Sequence, residues 1–238
     1  YVREREWSQA ITIATELERL SGVPFRKEIA QYYCEMAVKS ILDQDLHTAR
    51  HELEMALDAN KNCVRANIML GEMEANNKAH KIAIGFWKRI EFQNPAFLGI
   101  VAHKLLNSYR ELGQLEEGVN LLKQYAQTYK LPSLMAVVCE ITLTEEGADS
   151  AAKMAIDELE RKPSLQTLDQ LLKARGLQAK PNTDNGLMQQ TVRYAIGNRS
   201  AYCCEQCGFK ARNFHWQCPA CNAWEALPSE PTEINEIN

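Results

Sequence analysis

Small and large apolar residues return along this chain at an interval of about 34 residues, which predicts a stack of helical hairpins. The clearest copy runs from Val64 to Pro95, with Leu70 and Gly71 in its first half and Ala83, Trp87 and Pro95 in its second. Small residues at Gly71 and Ala83 would let the two helices of one hairpin approach closely. Trp87 would fill the space between hairpins, and Pro95 would end the second helix. One interval back, Ala83 falls on Ala49 and Trp87 on Leu53; two intervals forward, Ala83 falls on Ala151 and Pro95 on Pro163. The copy between them is out of step by one residue: Leu105, Tyr109, Gly113 and Gly118 align only with an insertion that the next copy recovers.

These are the positions of a tetratricopeptide repeat, with copies expected at 30–63, 64–98, 99–131 and 132–163. The fold class is therefore all-α, a superhelical solenoid of such repeats. Trp7, Ala10, Ala14 and Leu17 look like the second helix of an earlier copy, as if the array were cut at its N-terminus. Each hairpin buries only part of its apolar face alone, so stability comes from stacked neighbours. A capping helix is expected near Ser164–Arg175, ending at Gly176. Pro181, Asn182, Asp184 and Gly186 mark a loop over 178–186, and a short helix near Leu187–Ile196 leads into a cluster of cysteines. The expected domains are an array over 1–177, a connection over 178–200, a cysteine module over 201–228 and a polar tail over 229–238.

Of the 238 residues 45% are hydrophobic and 24% charged, enough apolar surface for a core and too much for a disordered tail. A net charge of −4 offers no basic field for a phosphate backbone, so no nucleic-acid partner is expected. No run of about 18 apolar residues is present to span a bilayer. The chain opens Tyr1-Val2-Arg3 without an initiator Met, which reads as a piece of a longer protein from which an N-terminal anchor could have been removed.

Five of the eight cysteines lie between Cys203 and Cys221, while Cys34, Cys63 and Cys139 are scattered. That distribution fits a reducing compartment and one metal site better than a disulfide framework. Cys204-Glu-Gln-Cys207-Gly208 and Cys218-Pro-Ala-Cys221 are two halves of a tetrahedral thiolate cage, in which each turn offers two sulfurs to one ion. A metal also answers a size problem, because about 30 residues bury too little to hold a fold alone. Cys203 leaves three residues before Cys207 where its neighbour leaves two, so Cys204, Cys207, Cys218 and Cys221 are the expected ligands and Cys203 a bystander. Four thiolates complete a tetrahedron, which leaves His215 as a surface or packing residue. The ion is Zn²⁺ or a single iron; spacing does not separate them. Tyr202, Phe209, Phe214, Trp216 and Trp224 are more aromatics than so small a module can hide, so some should pack on the last helices.

His47 and His51 stand four apart on a helix, but the Glu that a zinc protease places beside its first His is absent, and they read as surface residues. Glu116-Glu117 and Glu145-Glu146 fall where acidic groups favour helix starts or turns. No phosphate-binding glycine loop, nucleophile elbow or Ser–His–Asp set can be assembled. Nothing here supports an enzyme.

A tetratricopeptide array joined to Tyr202-x-Cys204-x-x-Cys207-Gly208-Phe209 and Trp216-x-Cys218-Pro219-x-Cys221-x-x-Trp224 resembles the lipopolysaccharide assembly protein B family. That resemblance implies a rubredoxin-like, zinc-ribbon module and a bacterial inner-membrane regulator whose body lies on the cytoplasmic side behind an N-terminal anchor helix. It further implies an adaptor that works with a membrane-bound AAA protease to control the deacetylase that commits carbon to lipid A. A general scaffold for envelope biosynthesis enzymes is the alternative, with an iron–thiolate redox protein behind it. Self-association into a homo-oligomer is left open. Cys203 and the tail from Ser229 depart from the family pattern.

Overall fold

A computed structural model of the protein describes residues 1–2, 4–178 and 183–233. The chain divides into two compact units, Tyr1–Phe97 with Glu111–Gly113, and Leu98–Arg110 with the chain from Gln114 onward. The expected class, an all-helical array ending in a small cysteine knuckle, is the one observed.

The first unit contains α1 (Trp7–Ser21), α2 (Arg26–Leu42), α3 (Leu46–Ala59), α4 (Val64–Asn76), α5 (His80–Lys88) and α6 (Ile90–Gln93), closed by a 3₁₀ turn at Pro95–Phe97. Helices α1 to α5 each pack on the next. Asp45 starts α3, its carboxylate accepting the N–H of Thr48 at 3.0 Å, and the Thr48 hydrogen bonds hold this carboxyl below its ordinary range. The core between α2, α3 and α4 is built largely from alanine, with Ala30, Ala37, Ala49, Ala56 and Ala66 fully buried beside Leu53 and Leu70. Helices so lined approach closely, and a thin core then suffices. Trp7 stacks on Tyr32 with ring centroids 5.6 Å apart, and Ala10 and Ala14 are buried with it. Leu17, read from sequence as part of the same face, is 46% exposed.

Trp87 is buried against the first helix of its own hairpin. Its indole covers Gly71, where any Cβ would collide with the ring, and its N–H donates to the Ile68 carbonyl at 3.2 Å. The tryptophan therefore closes its own α4–α5 hairpin, because a glycine leaves the space for a flat ring and the nearby carbonyl satisfies the buried N–H.

The second unit contains α7 (Leu98–Glu111), α8 (Leu115–Tyr129), α9 (Pro132–Glu145), α10 (Ala148–Arg161), α11 (Leu165–Gln178) and α12 (Thr183–Arg199), followed by β1 (Ser200–Cys203), β2 (Lys210–Ala211) and β3 (Thr232–Glu233). Pro132 opens α9, where its missing N–H has no helical partner to lose. Gly118 of α8 takes the place of the repeat's alanine; a Cβ there would stand 2.8 Å from the Cβ of Tyr109 on α7. Ala49, Ala83, Gly118 and Ala151 are all buried, one in each hairpin, which is the register read from the 34-residue interval.

The C-terminal connection differs from its sequence reading. The helix expected to cap the array runs from Leu165 to Gln178, and α12 packs on it in turn. The loop expected over 178–186 lies partly at 179–182, outside the described residues, while Thr183–Gly186 form the first turn of α12. Asp184 in that turn favours the helix start, which composition alone read as loop. The tail begins with a strand: the sheet order is β2-β1-β3, with Ala201 opposite Thr232 and Ser200 opposite Glu233. Backbone hydrogen bonds make that pairing, so a polar sequence can supply it.

Trp87→Ala removes a buried indole and should cost about 3–5 kcal/mol. Gly71→Ala should lower stability through the opposite defect, a methyl group in the space of the ring. Denaturant unfolding checks both, and a wild-type midpoint for either would mean that Trp87 and Gly71 are not in contact.

Candidate metal centre

The four cysteines of the two Cys-x-x-Cys turns come together. Their sulfurs all lie within 4.8 Å of one another, with Cys204 to Cys221 and Cys207 to Cys218 each 3.7 Å apart. A disulfide would need about 2 Å, so these are thiols in contact. Metal–sulfur bonds of about 2.3 Å pointing to the corners of a tetrahedron place the sulfurs about 3.8 Å apart. The cluster therefore fits one tetrahedral ion, and these residues could hold Zn²⁺ or a single iron alike.

Each turn is built by the same backbone bonds. The Cys204 carbonyl accepts from the Gly208 N–H at 2.9 Å, and the Cys204 N–H donates to the Phe209 carbonyl at 2.8 Å. In the second turn the Cys218 carbonyl accepts from Asn222 at 2.9 Å and the Cys218 N–H donates to Ala223 at 2.8 Å. Both turns place their fifth residue in the left-handed region, Gly208 at φ 72° and Asn222 at φ 61°. Glycine adopts this conformation freely, and asparagine is among the few residues that visit it routinely. Both residues stand at the same offset from their cysteine pairs, a signal for the paired turns that the sequence carries.

Electrostatics show why the cluster calls for a cation. Burial opposes ionisation of Cys204, but the N–H groups of Cys207 and Gln206 and the adjacent Cys218 and Cys207 thiols outweigh it and bring this thiol down to about 7. Cys207 receives the N–H of Phe209, yet burial and the thiols of Cys221, Cys204 and Cys218 push it up to about 12. The first thiolate to form makes the next one costly, and a bound divalent ion removes that conflict.

The other residues singled out from sequence fall outside this cluster. Cys203 ends β1, with its thiol 3.7 Å from the Gly208 carbonyl. His215 is exposed, and so are His47 and His51 on α3; among the described residues no third ligand joins either of that pair. Cys139 is buried on α9, and burial with the nearby Glu158 pushes it up to about 11. The aromatics are partly spent inside the module: Phe214 stands edge-on to Tyr202 at 5.9 Å and to Trp216 at 5.0 Å, and Trp224 is buried. Phe209 remains 38% exposed. Cys204, Ala211, Cys218, Ala226 and Leu227 form the module's core, which is too small to fold by burial alone.

A helical array carrying a four-thiol knuckle defines a class of repeat protein with a metal-binding appendage, and comparison with known proteins agrees. Residues 202–228 match the family described as a rubredoxin metal binding domain. Along its length the chain is similar to proteins named lipopolysaccharide assembly protein B. The one from Escherichia coli K12 is 25% identical over 230 residues, which cover 95% of this chain and 59% of that protein. The one from Haemophilus influenzae is 25% identical over 241 residues, covering 100% of this chain and 60% of that protein. The chain thus spans about three fifths of the length of the curated relatives it matches. No helix among the described residues is long and apolar enough to cross a membrane.

An ion held by the four sulfurs should be lost with any one of them. Elemental analysis is expected to find one metal per chain in the wild type and in Cys203→Ser, and far less in Cys218→Ser. A full complement in Cys218→Ser would rule out this ligand set.

Proposed function

We propose that this chain is a non-enzymatic adaptor in lipopolysaccharide assembly, working on the cytoplasmic side of the bacterial inner membrane. The observation that carries the reading is the similarity over 95–100% of the chain to proteins named lipopolysaccharide assembly protein B. The architecture supports it: stacked hairpins offer extended surface for holding other proteins, and a closed four-thiolate site suits a structural ion more than a reacting one.

In this reading the array, 1–177, is joined through 178–200 to the module at 201–228, with a short tail from 229. Cys204, Cys207, Cys218 and Cys221 hold one Zn²⁺ or iron ion that keeps the module folded, and no residue has a catalytic role. The partners are a membrane-bound AAA protease and the deacetylase that commits carbon to lipid A, brought together so that the deacetylase is degraded. The array and the module act as one recognition unit, so metal loss is a functional defect even though no ligand cysteine touches a partner.

The experiment is crosslinked capture from cells expressing the full-length protein, followed by protease-dependent turnover of the deacetylase. Wild type should capture both partners and speed turnover, and Cys221→Ser, with an array still helical by circular dichroism, should do neither. Capture of other envelope enzymes without the protease would favour a general scaffold. Full activity of Cys221→Ser would make the module an independent appendage. Visible absorption of the purified protein separates ferric thiolate, which is coloured, from zinc, which is not.

A further inference from the structure

The segment that leaves the metal module returns to the helices. Pro228 and Pro231 bracket Ser229-Glu230 and favour an extended backbone, because proline fixes its own φ and disfavours helical geometry in the residue before it. The Glu230 carboxylate accepts hydrogen bonds from the Ser133 hydroxyl and the Ser133 backbone N–H, 97 residues away in sequence. Ser133 is the second residue of α9, so the carboxylate meets the positive end of a helix whose first N–H groups lack helical partners. On the other side is Gly99 in the first turn of α7. A Cβ at that position would collide with the Ser133 hydroxyl and stand 2.9 Å from a Glu230 oxygen. Burial raises the Glu230 carboxyl above its ordinary range, an effect that the Ser133 bonds and the Lys162 charge partly offset.

The path from this contact to the cysteines is short. Pro231 leads into β3, β3 pairs with β1, and β1 runs directly into Cys204. We propose that Glu230 is a positioning residue, a clip that docks the metal module on α9 and α7, so that metal retention by the module and order in the first turn of α9 are linked. The inference rests on the reading of the four cysteines as a metal site. Because linkage is reciprocal, a change at Gly99, which touches no cysteine, must weaken metal retention as surely as a change at Glu230.

The test uses the zinc-loaded chain challenged with excess EDTA, with zinc release followed over time. Removing a hydrogen-bonded charge is expected to speed release about tenfold in Glu230→Ala, with Gly99→Ala close to it and Glu230→Gln between these and wild type. Arg212→Ala, which removes an exposed charge from the module outside both cysteine turns, should release zinc at the wild-type rate. Hydrogen exchange gives a second readout: amides at 135–137, the first with helical acceptors, should lose protection in Glu230→Ala and in the metal-free wild type. Wild-type release rates in both Glu230→Ala and Gly99→Ala, or unchanged protection of α9 on metal removal, would overturn the clip. A wild-type chain that holds no zinc would instead overturn the metal reading. Exchange in Glu230→Ala would then decide the clip alone, and unchanged protection there would reject it.

Discussion

The structure depends first on how closely two helices of a hairpin can approach. Ala49, Ala83, Gly118 and Ala151 are buried, one in each hairpin, and residues this small let the helices come near. Where a glycine leaves room, an aromatic fills it: Trp87 lies against Gly71, and Tyr109 against Gly118. Interiors are packed as densely as organic crystals, so one methyl at such a contact is felt by the whole hairpin. Within each unit, stacking passes this constraint from one hairpin to the next, so short helices hold together without a deep core.

The metal module obeys a different constraint. Its core of small residues cannot hold it together, and four thiols within 4.8 Å resist ionising together. One ion resolves both difficulties, giving the fold its cross-link and the thiolates their counter-charge. The two turns that present the sulfurs are closed by the same backbone hydrogen bonds, and each ends on a residue with positive φ, Gly208 in one and Asn222 in the other. The chain is similar to proteins named lipopolysaccharide assembly protein B along nearly its whole length, helices and knuckle together.

Much of this was legible in one sequence because it rests on local rules. The repeat interval marked helices from small residues at fixed offsets, and the Cys-x-x-Cys spacing alone selected four sulfurs over Cys203. What spacing does not encode is how far each face is covered. Leu17 sits at a helical offset from Trp7, Ala10 and Ala14 yet is half exposed, because a 3.6-residue period identifies a face without saying how far its neighbour extends. The size of Trp87 suggests a spacer between hairpins; that its ring also fills the room left by Gly71 of its own hairpin is not visible in spacing. Residues 183–186 read as loop by composition because Asp and Gly are turn formers, whereas packing of α12 on α11 holds them in a helix.

By itself the sequence determined the helical hairpins, their register and the cysteine set, since each follows from side-chain size, backbone preference or ligand spacing within a few residues of itself. Only the tertiary structure decided which distant groups would meet: Glu230 with Ser133 and Gly99, and β3 with β1. Those contacts join residues some 30 to 130 positions apart through backbone pairing and one carboxylate at a helix end. Neither kind of contact needs a distinctive residue pattern, so neither left a mark in the sequence that spacing could find.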